Sequence, residues 1–178
     1  LNNIDIHVKK GEIVGISGLA GSGQQELLQA IYGAKNHIGT AGKNGVQINS
    51  TIAYVSGDRT KEGVFPLWDI RNNILIANLD RVKGKILLNK KECDDSANYW
   101  YDKLKFKAES CEAPIVSLSG GNQQKAIIGR GIASGADLIL FDDPTRGVDI
   151  ETKLEIYRIL GELRQEGKSV IWYSTEDN

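Results

Sequence analysis

The sequence predicts an α/β fold with an antiparallel β portion at its start and a helical subdomain at about residues 70–117, the whole of residues 1–178 reading as one partial domain. Three observations carry this prediction. A short apolar run, Glu12 to Ser17, feeds a glycine-rich stretch and then a helical pattern. A second apolar run, Leu138 to Phe141, ends in two carboxylates, Asp142 and Asp143. Between them lie two segments with the apolar spacing of amphipathic helices. At 178 residues and 40% hydrophobic content, the chain suffices for one full core with a satellite subdomain.

In chain order, Ile4, Ile6 and Val8 alternate with polar residues, the period of a half-buried strand, and Lys9-Lys10-Gly11 turns it. The run through Ile13, Val14 and Ile16 is the expected hairpin partner. It leads into Gly18-Leu19-Ala20-Gly21-Ser22-Gly23-Gln24-Gln25, which fits the glycine frame of the phosphate-binding P-loop, with a strand before and a helix after. The chemistry needs glycines because successive backbone N–H groups must turn inward around an anion, and the following helix adds its positive end. Leu27, Leu28 and Ile31 supply that helix with one apolar face. Gln24 stands where the phosphate-clamping lysine belongs, and Gln25 where a magnesium-binding hydroxyl belongs. A neutral amide replaces a charge-assisted bond, at a cost of about one or two tenfold steps in affinity. The rival reading is a plain glycine-rich turn; the dinucleotide fingerprint fails, since Glu26 stands where its last glycine belongs.

Residues Gly33 to Ser50 predict hairpin and loop without assignable chemistry, and Ile52 to Val55 a strand whose polar exit, Ser56-Gly57-Asp58-Arg59, faces a nucleotide in a doubly wound sheet. Phe65 and Trp68 are read as core aromatics in a loop. Asp69 to Leu79 and Glu92 to Leu104 are the two predicted helices of the subdomain, with Lys83, Lys85, Lys90, Lys91, Asp94 and Asp95 as a solvated face. Pro114 marks the return to loop. Ser119, Gly120 and Gly121 then open a helix that continues to Ala133, a second anion-facing helix start. Leu138 to Asp143 has the form of a Walker B strand, with Asp142 orienting magnesium and Asp143 at the general-base position, one methylene shorter than glutamate. The alternative for Asp142 is a loop or capping acid. Leu154, Ile156, Ile159, Leu160 and Leu163 predict a long helix, and Ser169 to Tyr173 a buried strand.

Composition excludes other classes. With 22 basic and 23 acidic residues the net charge is -1, which leaves no basic field for nucleic acid. Cys93 and Cys111 share no metal-ligand spacing with each other or with His7 and His37, and read as reduced thiols of a cytosolic protein. No apolar run approaches the roughly 20 residues a bilayer span needs, and no signal peptide is present, so a membrane role requires a partner. The chain opens at Leu1 and holds no methionine. It reads as a piece of a longer polypeptide, with residues around Ser50 also expected to be missing.

Taken together, GLAGSGQQ, LSGGNQQ (Leu118 to Gln124) and LILFDDPTRGVD (Leu138 to Asp149) resemble the ATP-binding domain of ABC transporters. NQQ after LSGG and PTRGVD after the carboxylate strand resemble specifically the second, C-terminal nucleotide-binding domain of bacterial simple-sugar importers of the ribose, galactose and xylose type. The resemblance covers essentially the whole chain. It implies an ABC-type P-loop ATPase fold, with ATP and Mg2+ as cofactors. It also implies a companion nucleotide-binding domain on the same polypeptide, packed head to tail so that each ATP lies between one domain's P-loop and the other's signature. Transmembrane permease subunits, and indirectly a periplasmic or extracellular sugar-binding protein, are the further partners, and the cytoplasmic face of the membrane is the location.

By the same resemblance Ser119, Gly120, Gly121, Asn122 and Gln123 form an intact signature for the companion's ATP, Gly57 holds the Q-loop position, Asp149 the D-loop position and Thr175 the switch-histidine position. Gln24 and Gln25 depart from the family's usual Arg and Thr. Gly57 has no side chain and Thr175 no imidazole. The family's adenine-stacking aromatic falls upstream of Leu1, and the end of its catalytic domain beyond Asn178. The function expected is half of the ATPase engine of a sugar importer, with a strong signature and a degenerate pocket of its own that holds a second nucleotide for structure or regulation. A non-hydrolysing pseudo-ATPase scaffold is the alternative. DNA-repair and translation-associated ABC ATPases are a distant third: a long heptad insertion and a basic surface, expected of the repair type, are both missing.

Overall fold

The computed structural model describes residues 4–19, 21–36, 50–79 and 89–175, the side chains of residues 34–36 excepted. They separate into two compact units, each of which is described by itself. The first comprises Leu1–Gly57, Ala136–Arg146 and Leu154–Asn178, the second Asp58–Gly135 and Gly147–Lys153.

The first unit is built on a four-stranded sheet of β1 (Ile13–Ser17), β2 (Ile52–Val55), β3 (Leu138–Asp142) and β4 (Ser169–Ser174) in the order β1-β4-β3-β2. Every pairing is parallel: Ile13 lies opposite Val170, Leu138 opposite Ser169, and Ile52 opposite Leu138. The central strands β3 and β4 are apolar runs with almost every residue buried, as a sheet covered on both faces requires. Alternation sorts their side chains. Leu138, Leu140, Ile171 and Tyr173 meet Leu28 of helix α1 (Gln24–Asn36) on one face, with Ile52 and Tyr54 of β2 packed alongside. On the other face Trp172 stacks between Phe141 and Tyr157 at centroid distances of 5.9 and 5.8 Å. Tyr157 belongs to α5 (Ile150–Gln165), whose Ile156, Ile159, Leu160 and Leu163 are buried, while Leu154 faces outward.

No antiparallel portion exists among the described residues of this unit, contrary to the sequence expectation. Ile4 to Val8 is irregular chain, with Ile4 and Ile6 exposed and Val8 alone packed on the core. The physical reason lies in its intended partner. Ile13–Ser17 pairs with β4 at the edge of the sheet, and Ile4 to Val8, with two of its three apolar residues exposed, buries too little to add a further strand there. Among the described residues the antiparallel bridge Asp69 to Pro114 is isolated and lies in the second unit. Residues 1–3 and 37–49, where further hairpin structure was expected, fall outside the described residues, as do Lys83 and Lys85.

The second unit packs α2 (Ile70–Leu75), α3 (Lys90–Lys103) and α4 (Gly120–Ala133) around Ile70, Ile74, Leu104, Ile115, Ile127 and Ile128. Asp69 caps α2 by accepting from Asn72 N, and α2 passes into a 3₁₀ turn at Ile76–Asn78. Asn89 caps α3 by accepting from Lys91 N and Glu92 N, while its side-chain Nδ2 donates to Glu92 Oε1, a cap that starts the helix two residues before the predicted Glu92. Cys93 and Cys111 are buried free thiols in a cluster with Leu75 and Ala97. Arg130 of α4 ties the unit together. Its guanidinium donates to Asn73 O, Asn73 Oδ1 and Gly63 O at 2.7 to 2.9 Å and lies 4.9 Å from the Phe65 ring. Phe65 stacks on Trp68, yet both stay more than a third exposed and Leu67 between them is 97% exposed, so these aromatics rim the unit instead of filling its core.

Candidate functional site

Because all four strands run the same way, their carboxyl ends share one edge, and the residues just past Ser17, Val55, Asp142 and Ser174 meet there. The glycine loop leaves β1 at Gly18 and enters α1 at Gln24. Gly21 and Gly23 have φ of 82° and 99°, a region that side chains disfavour, so here the glycine frame is a backbone requirement. Ser22 N donates to Leu19 O and Leu27 N to Gly23 O, closing the turn onto the helix. Ala20 lies outside the described residues, while Leu19 points out at 83% exposure. Gln24 does the opposite. It is 8% exposed, its amide nitrogen sits 2.0 Å from where a Cβ on Gly18 would stand, and its Oε1 is buried without a hydrogen-bond partner. A lysine would reach out from this position; the shorter neutral amide turns back into the loop.

Gln25, next along, donates from Nε2 to Asp142 Oδ2 at 2.8 Å, and Tyr54 donates its hydroxyl to the same oxygen at 2.7 Å. The sheet register explains the meeting. Tyr54 lies opposite Leu140 and Asp142 opposite Tyr173, so both project on the α1 face. Burial, reinforced by the hydrogen bond to and charge of Asp142, raises the Tyr54 pKa far above the ordinary tyrosine value and keeps its hydroxyl a donor. Tyr54 was not singled out from the sequence. The signal for it was present in a strand ending next to the Walker B strand, with a polar-tipped aromatic at an inward position, but only the register shows which carboxylate it reaches.

Asp143 is buried and adopts φ 47°, left-handed for a non-glycine residue, at a cost of about 1 kcal/mol that aspartate bears better than most. Its N–H donates to Tyr173 O, and its carboxylate accepts Thr175 Oγ1 at 2.6 Å. The positions expected for general base and switch histidine thus hold each other. Tyr173, beneath them, has its pKa raised by burial and then by the charges of Asp143 and Asp142. Gly57 approaches closely: a Cβ there would stand 2.3 Å from Asp142 O.

Magnesium demands oxygen ligands in a near-octahedral shell at about 2.0–2.1 Å. Asp142 Oδ2 already accepts two protein donors, and position 25 turns an N–H, not an oxygen, towards it. Among the described residues no cluster of His, Cys, Asp or Glu has the form of a metal site. The donor set of this pocket does not fit a divalent cation.

In the second unit Ser119 caps α4, its Oγ accepting from Asn122 N and from Asn122 Nδ2 at 3.0 Å. Gln123 Nε2 donates back to Leu118 O, and Arg59 donates to Gly120 O at 3.2 Å. Gly121 lies against the start of α5: a Cβ there would stand 2.4 Å from Thr152 Oγ1 and 3.2 Å from Asp149 Oδ2. Asp149 accepts Thr152 N at 2.8 Å and Thr152 Oγ1 at 2.9 Å, bonds that hold its carboxyl below the usual pKa. Lys107 pairs with Glu151 beside them at 3.0 Å. The expected signature and D-loop positions therefore lie against one another at Gly121 within this unit, each held by its own helix cap.

Comparison with known proteins bears on both arrangements. The family model described as ABC transporter matches residues 1–146. The L-arabinose transport ATP-binding protein AraG of Geobacillus stearothermophilus is 35% identical over 99% of this chain and 37% of its own length. The galactose/methyl galactoside import ATP-binding protein MglA of Treponema pallidum is 39% identical over 99% of the chain and 38% of its length. The ribose import ATP-binding protein RbsA of Clostridium tetani is 38% identical over 99% and 37%. The chain thus spans a little over a third of the length of these curated relatives. A solved bacterial ABC transporter cassette, described as dimeric, superposes with a TM-score of 0.79 at 25% identity, over 99% of this chain and 80% of that one. Among the described residues no helix is long and apolar enough to cross a membrane. With its parallel sheet, its glycine loop and a family match over most of its length, the chain belongs to the ABC transporter family.

Proposed function

We propose that this chain is an ATP-binding domain of a bacterial carbohydrate importer, the second such domain of its polypeptide, and that it works chiefly by lending its signature to the ATP of a companion domain. Relatives whose names state sugar import, at 35 to 39% identity along nearly the whole chain, support the carbohydrate assignment. The observation that carries the division of labour is the contrast between the two ends of the molecule's chemistry. The signature is complete and pre-arranged, Ser119 capping a helix whose first two residues are glycines. The pocket's own lysine and hydroxyl positions are filled by Gln24, turned inward, and Gln25, bonded to Asp142.

In this reading residues 1–178 form one partial nucleotide-binding domain with a helical subdomain at about residues 70–117. Ser119 and the N–H groups of Gly120 and Gly121 face the γ-phosphate held by the companion's P-loop, where preorganised donors stabilise the charge of the transferring group. The loop from Gly18 to Gln25 holds a second nucleotide, with Gly57, Asp143 and Thr175 at positions that do no acid–base work. Asp149 orients the start of α5 at the interface with the companion. Permease subunits at the cytoplasmic face of the membrane receive the closing motion, and a sugar-binding protein delivers to them.

A non-hydrolysing role for the chain's own pocket is favoured by one specific observation: Asp143 is committed to Thr175, a residue unable to shuttle a proton as imidazole does. Transport assays on the full transporter test the reading. Replacing Ser119 or Gly120 by arginine is expected to abolish uptake of the sugar; uptake at a near-normal rate removes the signature-donor role.

A further inference from the structure

The pocket that ends β1 has been filled, residue by residue, where a cation and a third phosphate would be held. Gln24, more than nine-tenths buried, turns its amide nitrogen towards Gly18, so the lysine position carries a neutral group folded back on the loop. Gln25 and Tyr54 together hold Asp142 Oδ2, giving that carboxylate two neutral donors in place of a metal ion. The loop from Gly18 to Gln25 contains no lysine or arginine, whereas Asp142 and Asp143 follow one another at the strand end beside it and Glu26 stands in the first turn of α1. What attraction the loop keeps comes from the backbone N–H groups and the positive helix end, neither of which needs a cation. That attraction is directed at the phosphates nearest the loop. A further phosphate reaching towards Asp142 meets the like charge of Asp142 and Asp143, offset only in part by Arg146, whose charge also reaches Tyr173.

We propose that this pocket takes a nucleoside diphosphate without a divalent cation, with the Tyr54 hydroxyl and the Gln25 amide occupying the place of the metal at Asp142. The inference deepens the reading of Gly18 to Gln25 as a nucleotide loop and rests on it. Tyr54 is here a positioning residue: it acts on the pocket through Asp142 and touches no phosphate.

Calorimetric titration of this chain with ADP and with ATP, each in excess EDTA and in excess MgCl2, tests it. The expected result is that Mg2+ changes the Kd of ADP by less than about tenfold, and that ATP under either condition binds no more tightly than ADP. The double variant Tyr54→Phe/Gln25→Thr, which returns a hydroxyl to position 25 and frees one lone pair on Asp142, is expected to acquire a Mg2+ dependence of about tenfold or more for ATP. In the wild-type chain, tightening of either nucleotide by about tenfold or more on adding Mg2+, or ATP binding about tenfold more tightly than ADP, overturns the inference while leaving the nucleotide loop in place. Failure of both nucleotides to bind under either condition overturns it together with the nucleotide-loop reading. The wild-type titrations decide the matter even where the double variant fails to fold.

Discussion

At Tyr54 a single hydroxyl decides how the buried Asp142 is satisfied. Removing it in Tyr54→Phe takes away one of the two donors described for that carboxylate oxygen, and the expected loss of stability is about 1–3 kcal/mol, read by urea denaturation. An unchanged midpoint contradicts the clamp. Gly57 gives a sharper case, because its neighbour is backbone. A methyl group placed 2.3 Å from Asp142 O cannot be met by a side-chain rotation, so Gly57→Ala shifts the end of β3 and lowers stability by about 1–3 kcal/mol. From the sequence, Gly57 reads as a lost side chain; in the fold it is the residue that lets two strand ends come together. The substitutions at Gln24 and Gln25 were legible at once, since they break a spacing rule within eight residues. Their consequences were not, because a motif states which residue is missing and not where its replacement turns.

Elements formed where local pattern and partner agreed, and failed where the partner was elsewhere. The helix starts at Asp69 and Ser119 follow from short polar caps that a sequence displays, whereas the Asn89 cap was missed because apolar spacing alone placed that helix start at Glu92. The strand expected at Ile4 to Val8 rested on three alternating residues and an assumed hairpin. Alternation names a face but not a neighbour, and β1 pairs with a strand more than 150 residues away.

At the start of α5, Asp149 and Thr152 form a cap against Gly121. Asp149 has a folded pKa below its unfolded value, so its stabilisation is complete above the unfolded carboxyl pKa and is lost as pH falls through the lower folded one. The stability gap between the wild type and Asp149→Ala is therefore expected to narrow as pH drops below about 4, as followed by thermal melting. A gap independent of pH assigns the loss to packing instead. Within the second unit Arg130 joins α4 to the segment from Gly63 to Asn73 through three hydrogen bonds, and Arg130→Met removes all three, leaving Asn73 Oδ1 with the Phe65 N–H. A cost of about 2–4 kcal/mol is expected by denaturation, with Arg130→Lys recovering only part of it because an ammonium lacks the planar fork.

At the scale of the whole molecule the chain presents two chemical assemblies, one per compact unit. The first is a glycine loop whose lysine and hydroxyl positions, in the proposed reading, hold amides, and the second the proposed signature and D-loop positions, each with a helix cap, at Ser119 and at Asp149. The family was readable from spacing because phosphate chemistry constrains backbone geometry over a few consecutive residues. The sheet's parallel order was not, because it depends on pairings between residues far apart in sequence.

ATP hydrolysis by the full-length protein, measured for Ser119→Arg and for Gly23→Asp side by side, bears most directly on the asymmetry. The account predicts that Ser119→Arg, which costs the fold only about 1 kcal/mol for a lost cap, brings hydrolysis to background, while Gly23→Asp, which fills this chain's own loop, retains more than about half of it. Loss of hydrolysis in Gly23→Asp with survival in Ser119→Arg contradicts the account.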